Sequence, residues 1–252
     1  MAGSDVRRQF APVAGNYATS HFHAGADHLR ELIELARPHE SDVALDVATG
    51  TGNAALALAP HVSWVIGLDL TPEMLERATA EAAAREVRNV TWVVGDAGTL
   101  PFLAESFDLY VVRAAPHHFA DLGQALREAA RVVRPGGRAA FIDCSPPPAA
   151  RDLLHEVELG RDPSHVRSYT LDEWTGALEA AGFVIDEAAR RELPWRFANW
   201  MGTMDVPEER ARALEHVIES STGDARELLQ PERRDGELWH HYWHALIRAT
   251  KP

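Results

Sequence analysis

Val43-Ala44-Leu45-Asp46-Val47-Ala48-Thr49-Gly50-Thr51-Gly52 is a short apolar run that ends in a glycine loop. Such a run suits a strand buried on both faces. Glycines directly after a strand let the backbone approach a ligand closely, and a helix expected over 53–59 would offer its unpaired N–H groups. Alone, the loop is ambiguous. Gly50-Thr51-Gly52-Asn53-Ala54-Ala55 also fits the G-x-G-x-x-A form of a dinucleotide fingerprint. A nicotinamide enzyme therefore stands as a competing reading.

The neighbouring strand ends give the loop its meaning. Trp64-Val65-Ile66-Gly67-Leu68 reads as the next strand and ends at Asp69. A carboxylate there can accept from both ribose hydroxyls of an adenosine cofactor. Thr71-Pro72-Glu73 starts a helix, with Thr71 as N-cap and Pro72 at the first helical position. A third strand over 91–94 leads into Gly95-Asp96-Ala97, and Ser106-Phe107-Asp108-Leu109-Tyr110-Val111-Val112 opens a fourth over 107–113. A helix over 121–133, the turn Pro135-Gly136-Gly137 and a strand over 138–143 follow. Strand and helix alternate, which implies a parallel, doubly wound α/β sheet. Ligands of such sheets sit beyond the carboxyl ends of the strands, where Asp69, Asp96 and Arg113 fall.

Residues 5–20 and 26–37 read as helices ahead of this core. Beyond Asp143 the pattern loosens at Ser145-Pro146-Pro147-Pro148. Helices are expected over 149–160, 171–181 and 197–220, and strands over 183–192 and 238–249. One domain covers 1–252 on this reading, with its core at 38–145, 169–193 and 237–250. The segments 145–168 and 194–235 are too long for plain connections and read as a cap over the site.

Composition narrows the function classes. The chain has 252 residues, 46% hydrophobic and 25% charged, which is ample for a core. Its formal charge of −13 argues against a nucleic-acid partner, because such binding rests on Lys and Arg. No apolar run approaches the roughly 18 residues that a bilayer span needs. The first residues lack the apolar stretch of a secretory signal, so the cytoplasm is the expected location. Cys144 is the only cysteine, which leaves no intrachain disulfide and no thiolate cluster.

Taken together, Asp46 inside the first strand, the glycine loop, Asp69, Gly95-Asp96-Ala97 leading to Leu100-Pro101-Phe102, and Arg131-Val132-Val133-Arg134-Pro135-Gly136-Gly137 resemble the class I methyltransferase family. Within it they are most similar to the branch of the ubiquinone and menaquinone biosynthesis methyltransferases. The resemblance is strong over roughly residues 40–145. Two flanking stretches resemble bacterial small-molecule methyltransferases. One is Tyr17-Ala18-Thr19-Ser20-His21-Phe22-His23-Ala24-Gly25-Ala26-Asp27. The other is Arg161-Asp162-Pro163-Ser164-His165-Val166-Arg167-Ser168-Tyr169.

The resemblance implies a mostly parallel seven-stranded sheet with an antiparallel last strand. It implies S-adenosylmethionine as cofactor and in-line methyl transfer to a small molecule, leaving S-adenosylhomocysteine. Gly50 and Gly52 would pass under the methionine part, Ala48 would be a further cofactor contact, and Asp46 would anchor the ammonium, directly or through water. Asp69 would take the ribose hydroxyls, with Leu70 beside the adenine and Met74 a further cofactor contact. Asp96 would accept from the adenine amino group, the Ala97 N–H would reach a ring nitrogen, and Arg113 would border the methionine end. Tyr17 and His23 would be contacts from the entry segment. A methyltransferase-like protein that binds the cofactor without methylating remains the second alternative to the nicotinamide enzyme.

His117 and His118 are the candidates for a base, since histidine titrates in the useful range. The plainer reading is that one of them packs or holds the cofactor. A metal ion is not expected. His240 and His244 on a strand would stand about 13 Å apart, too far to share one. Trp195, Phe197, Trp200, Met201 and Met204 are either an apolar wall for an apolar or aromatic acceptor or simple core. Prolines after Asp143 resemble the Asn-Pro-Pro-Tyr motif of nucleic-acid amino methyltransferases. They follow the fifth strand instead of the fourth and lack the Asn and the aromatic. Monomer and homodimer are both compatible with the sequence.

Overall fold

In the computed structural model, which describes residues 25–252, Val43–Val47 forms β1 at the middle of the sheet, buried in all but its first residue. It pairs in parallel with β2 (Trp64–Asp69) on one side and β4 (Phe107–Arg113) on the other. β3 (Val90–Val94) continues the parallel sheet beyond β2, and β5 (Val133–Cys144) beyond β4. β8 (Glu237–Thr250) then runs antiparallel to β5 and to the edge strand β6 (Val184–Arg196). The order is β3-β2-β1-β4-β5-β8-β6. Its direction changes between β1 and β4, where a doubly wound sheet opens a crevice.

Alternate residues of each strand serve opposite faces. Leu45, Val47, Tyr110, Val112 and Phe141 pack under α4 (Leu122–Val132) and α6 (Leu171–Ala180). Ala44, Leu109, Val111, Ala140 and Ile142 pack under α1 (Ala26–Ala36) and α2 (Asn53–Leu58). α3 (Pro72–Ala84) lies against β2 and β3. A third cluster joins α5 (Pro148–Arg161), α7 (Phe197–Thr203), α8 (Glu208–Glu219) and α9 (Gly223–Leu229) to the early part of β8 through Leu154, Val157, Trp200, Leu214, Leu229 and Tyr242.

Several expectations change. The single helix over 197–220 is two helices, because Pro207 pushes Val206 out of helical backbone and Asp205 takes a φ of 50°. The strand over 183–192 continues through Pro194 and Trp195. A proline is tolerated there because β6 is an edge. β5 begins at Val133, before the glycine turn. An additional strand, β7 (Glu232–Arg234), forms a hairpin with β8 across Asp235-Gly236. Both turn residues have positive φ, as an Asp-Gly hairpin turn requires. Thr71 occupies the N-cap position but makes no capping hydrogen bond.

Candidate functional site

The loops after β1, β2, β3 and β4 meet around a cavity of about 280 Å³ at the switch point. Asp46, Ala48 and Gly50 line it from β1, and Asp69, Leu70 and Met74 from β2 and α3. Asp96 and Ala97 line it after β3, and Arg113 and His118 after β4. Gly52 stands behind this wall, and His117 is buried next to His118. Tyr17 and His23 lie outside the described residues.

The two glycines have different physical roles. Gly50 has a φ of +55°, and a Cβ there would meet nothing within 4 Å. It presents bare backbone to open space. Gly52 has a φ of +83°, and a Cβ there would stand 2.8 Å from Trp92 Cη2 and 3.1 Å from Ala78 Cβ. It lets the start of α2 press against Trp92 on β3, which also covers Gly67.

Three carboxylates face successive parts of the cavity. Asp46 is buried and accepts from Thr49 Oγ1 at 2.6 Å. Burial pushes its pKa up to about 7, against the pull of the Thr49 hydroxyl and Arg113. Burial also lowers the Arg113 guanidinium to about 10. Asp69 accepts the Gly50 and Thr71 N–H groups, each at 2.8 Å, so it latches the glycine loop to the start of α3. Burial raises its pKa while those N–H groups oppose the rise. Asp96 is exposed and accepts the Gly98 N–H at 2.7 Å.

The histidines close the β4 side. His117 Nδ1 lies 2.6 Å from Asp143 Oδ1 at the end of β5. Burial disfavours the imidazolium, but the Asp143 charge outweighs it and holds the pKa well above the usual histidine value. His118 goes the other way: burial first, then the neighbouring His117 charge, hold it well below. The two rings are 4.0 Å apart between centroids. His117, Asp143 and Cys144 place ligand-type atoms within 4.8 Å of one another. The His117–Asp143 separation is nonetheless a hydrogen bond, shorter than the roughly 3.3 Å between two ligands of one tetrahedral zinc.

The family described as methyltransferase domain matches residues 45–141. The uncharacterised methyltransferase YcgJ of Bacillus subtilis is 32% identical over 220 residues, 86% of this chain and 87% of its own. Its crystal structure has a TM-score of 0.84 to this fold at 31% identity, covering 88% of this chain and 97% of that one. The chain belongs to the class I S-adenosylmethionine-dependent methyltransferases. Its type is UbiE-like. A demethylmenaquinone methyltransferase of Deinococcus radiodurans is 36% identical over 58% of this chain and 62% of its own. A 27-O-demethylrifamycin SV methyltransferase of Amycolatopsis mediterranei is 31% identical over 76% of this chain and 71% of its own.

In this methyltransferase the aromatic stripe is core. Phe197, Trp200, Met201 and Met204 are buried, and Phe197, Trp200 and Met201 pack in the third cluster. Trp195 lies on β6 and stacks on Tyr242. Among the described residues, the cavity lining comes only from positions between 46 and 125, so neither cap segment contributes to it. His240 and His244 are buried packing residues on β8. Among the described residues no helix is long and apolar enough to cross a membrane. Sequence reasoning missed Thr49 and Asp143 as partners of Asp46 and His117. The position of Asp143 near the carboxyl end of the fifth strand was the available signal for the second.

Proposed function

We propose that the methyltransferase binds S-adenosylmethionine in the strand-end cavity and transfers its methyl group to a small-molecule acceptor. The observation that carries this is the row Asp46, Asp69, Asp96 along one cavity, with bare backbone at Gly50 between them. From β3 to β4 is three strand spacings, about 14 Å. That is the reach of an adenosine extended by an amino-acid arm. The residues fit such a group. Asp69 lines the cavity with a carboxylate, the kind of acceptor that ribose hydroxyls need. Leu70 and Met74 supply an apolar wall, while Asp96 and the Ala97 N–H suit the adenine edge. Asp46 and Arg113 offer opposite charges to the two ends of the amino-acid arm.

The sulfonium supplies a methyl group that is already electrophilic. The protein's tasks are to align the acceptor and to exclude water. In this reading His118, neutral on the cavity wall, takes a proton from the acceptor. His117, kept cationic by Asp143, stabilises negative charge beside it. Family membership favours the sulfonium over the nicotinamide cofactor, and the two relatives with stated activities are named for small-molecule acceptors.

Calorimetric titration with S-adenosylmethionine, S-adenosylhomocysteine and NAD tests the cofactor. Tight NAD binding with no response to the sulfonium compounds overturns the reading. Incubation with methyl-labelled cofactor and small-molecule extracts tests transfer. Good cofactor affinity without any labelled product favours the alternative that binds without methylating.

A further inference from the structure

His165 is a buried imidazole without a hydrogen bond. It is 4% exposed, and neither Nδ1 nor Nε2 has a partner. Buried side-chain polar groups nearly always have one, so an exception in a native fold calls for a cause. Loose placement is not that cause, because the turn that carries the ring is tied throughout. Asp162 Oδ1 accepts the Ser164 N–H at 2.9 Å and the Ser164 hydroxyl at 2.6 Å. The His165 N–H itself donates to the Asp162 carbonyl at 3.1 Å. The Val166 and Arg167 N–H groups donate to the His117 carbonyl at 2.9 and 3.1 Å.

The ring belongs to a polar cluster next to the cavity wall. Its centroid is 5.5 Å from that of His117 and 6.3 Å from that of His118, which lines the cavity. His155 on α5 is 5.2 Å from it, and the buried Nδ1 of His155 also lacks a partner. Asp143 meets His117 through Oδ1, while its Oδ2 is buried and unpartnered. Ser145, two residues further on and fully buried, has an unpartnered hydroxyl. Polar atoms without partners are thus gathered at the end of β5 and on the segments around it.

The chemistry of the ring restricts what can join it. Burial brings the His165 pKa down to about 3, although the Glu158 carboxylate pulls it up. At neutral pH the imidazole is uncharged, so one nitrogen donates and the other accepts. A hydroxyl suits either nitrogen, since it too donates and accepts. A carboxylate only accepts and an ammonium only donates. Each would also bring a full charge to a place that already expels the proton from an imidazole.

We propose that His165 is an acceptor-binding residue, whose ring hydrogen-bonds a neutral hydroxyl of the acceptor at a polar subsite beside the His117–His118 pair, apart from the atom that is methylated. No covalent bond changes there. The subsite orients the acceptor and discriminates against a molecule of the same shape without the hydroxyl, which would leave the ring unpaired. This deepens the methyl-transfer reading above and rests on it.

The first test needs no known acceptor. The full chain labelled with ¹⁵N-histidine, in the presence of S-adenosylhomocysteine, is titrated in parallel with catechol, benzene and benzoate. Long-range ¹H–¹⁵N correlation reads the ring nitrogens, with His165→Gln assigning the signal. Catechol is expected to move the His165 signals, with little effect from the other two. Equal movement by catechol and benzene, greater movement by benzoate, or no movement by any of the three overturns the proposal. Failure to bind S-adenosylhomocysteine is a separate result and strikes the cofactor reading instead.

The second test measures catechol affinity by calorimetry. His165→Leu is expected to weaken it about tenfold, the worth of one neutral hydrogen bond. His165→Gln, whose amide also donates and accepts, is expected to keep most of it. S-adenosylhomocysteine affinity should stay within about twofold in both, since His165 does not line the cofactor cavity. Equal losses of catechol affinity in the two variants, or no loss in His165→Leu, overturn the assignment. If His165→Leu does not fold, the response of the wild-type ring to catechol and benzene still decides.

Discussion

Asp69→Ala separates a ligand contact from a structural latch, because the structure shows the latch and the proposed function adds the contact. On the structural side it accepts two backbone N–H groups at 2.8 Å, from Gly50 and Thr71. A buried donor left unpaired costs about 1–3 kcal/mol. Water can reach Gly50 through the cavity, so about 2 kcal/mol for the pair is the expected loss. At roughly 2–4 °C per kcal/mol for a chain of this size, melting should fall by about 4–8 °C. On the ligand side, each ribose hydroxyl bonded to a carboxylate is worth about 1.5–3 kcal/mol. Loss of both is about 3–6 kcal/mol, or a hundredfold to ten-thousandfold in Kd. Asp69→Asn keeps the shape and one acceptor oxygen and should lose about tenfold. Titration calorimetry with S-adenosylhomocysteine, run beside differential scanning calorimetry, reads both quantities. A folded Asp69→Ala protein that binds within about fivefold of wild type removes Asp69 from the ligand site and leaves only the latch.

Asp46 has a pKa of about 7 without ligand, so a cationic ligand that prefers its ionised form must displace a proton below that value. Affinity for S-adenosylhomocysteine should therefore rise with pH to roughly 7 and then level. Calorimetry in buffers of different ionisation heat should show up to about one proton released below pH 7 and none well above it. Flat affinity and no release, in wild type as in Asp46→Asn, would take the ammonium away from Asp46. Gly52→Ala should destabilise by about 2–3 kcal/mol through the collision with Trp92 and the positive φ. Gly50→Ala should cost only about 1 kcal/mol but weaken cofactor binding more; equal melting shifts in the two variants would contradict the division of roles. Burial disfavours the Glu158 carboxylate, but Arg161, then the His165 and His117 charges and the Tyr242 hydroxyl at 2.5 Å, outweigh it and bring its folded pKa to about 2. Its folded value lies below its unfolded one, so its stabilisation is present above about pH 4.5 and lost as pH falls toward 2. The stability gap between wild type and Glu158→Gln should narrow across that window, and a gap independent of pH would refute the assignment.

The parallel core was legible because its signals are local. β1, β2 and β4 are apolar runs closed by loop residues, and their ends fall where the structure puts them. Asp69 and Asp96 could be placed at the cavity because each stands where an apolar strand ends at the carboxyl edge of the sheet. The breaks that were missed also had local signals. Val206-Pro207 divides the long helix, and Asp235-Gly236 makes the hairpin that adds β7. Periodicity outweighed both, although a proline and a two-residue turn are the stronger local constraints.

The aromatic stripe and the surroundings of the histidine pair were not legible for a different reason. Helical spacing of Phe197, Trp200, Met201 and Met204 describes a face and says nothing of what the face meets, so core and pocket give the same pattern. The groups that do surround the histidine pair come from separate parts of the chain. Asp143 is 26 residues from its partner His117, and Ser164 is 46 from His118. No spacing rule joins them. They become visible only when buried donors and acceptors are matched in space, since each must find a partner once water is excluded. The aromatic residues satisfy one another in the core, while the histidine side is walled by carboxylates, a serine and imidazoles.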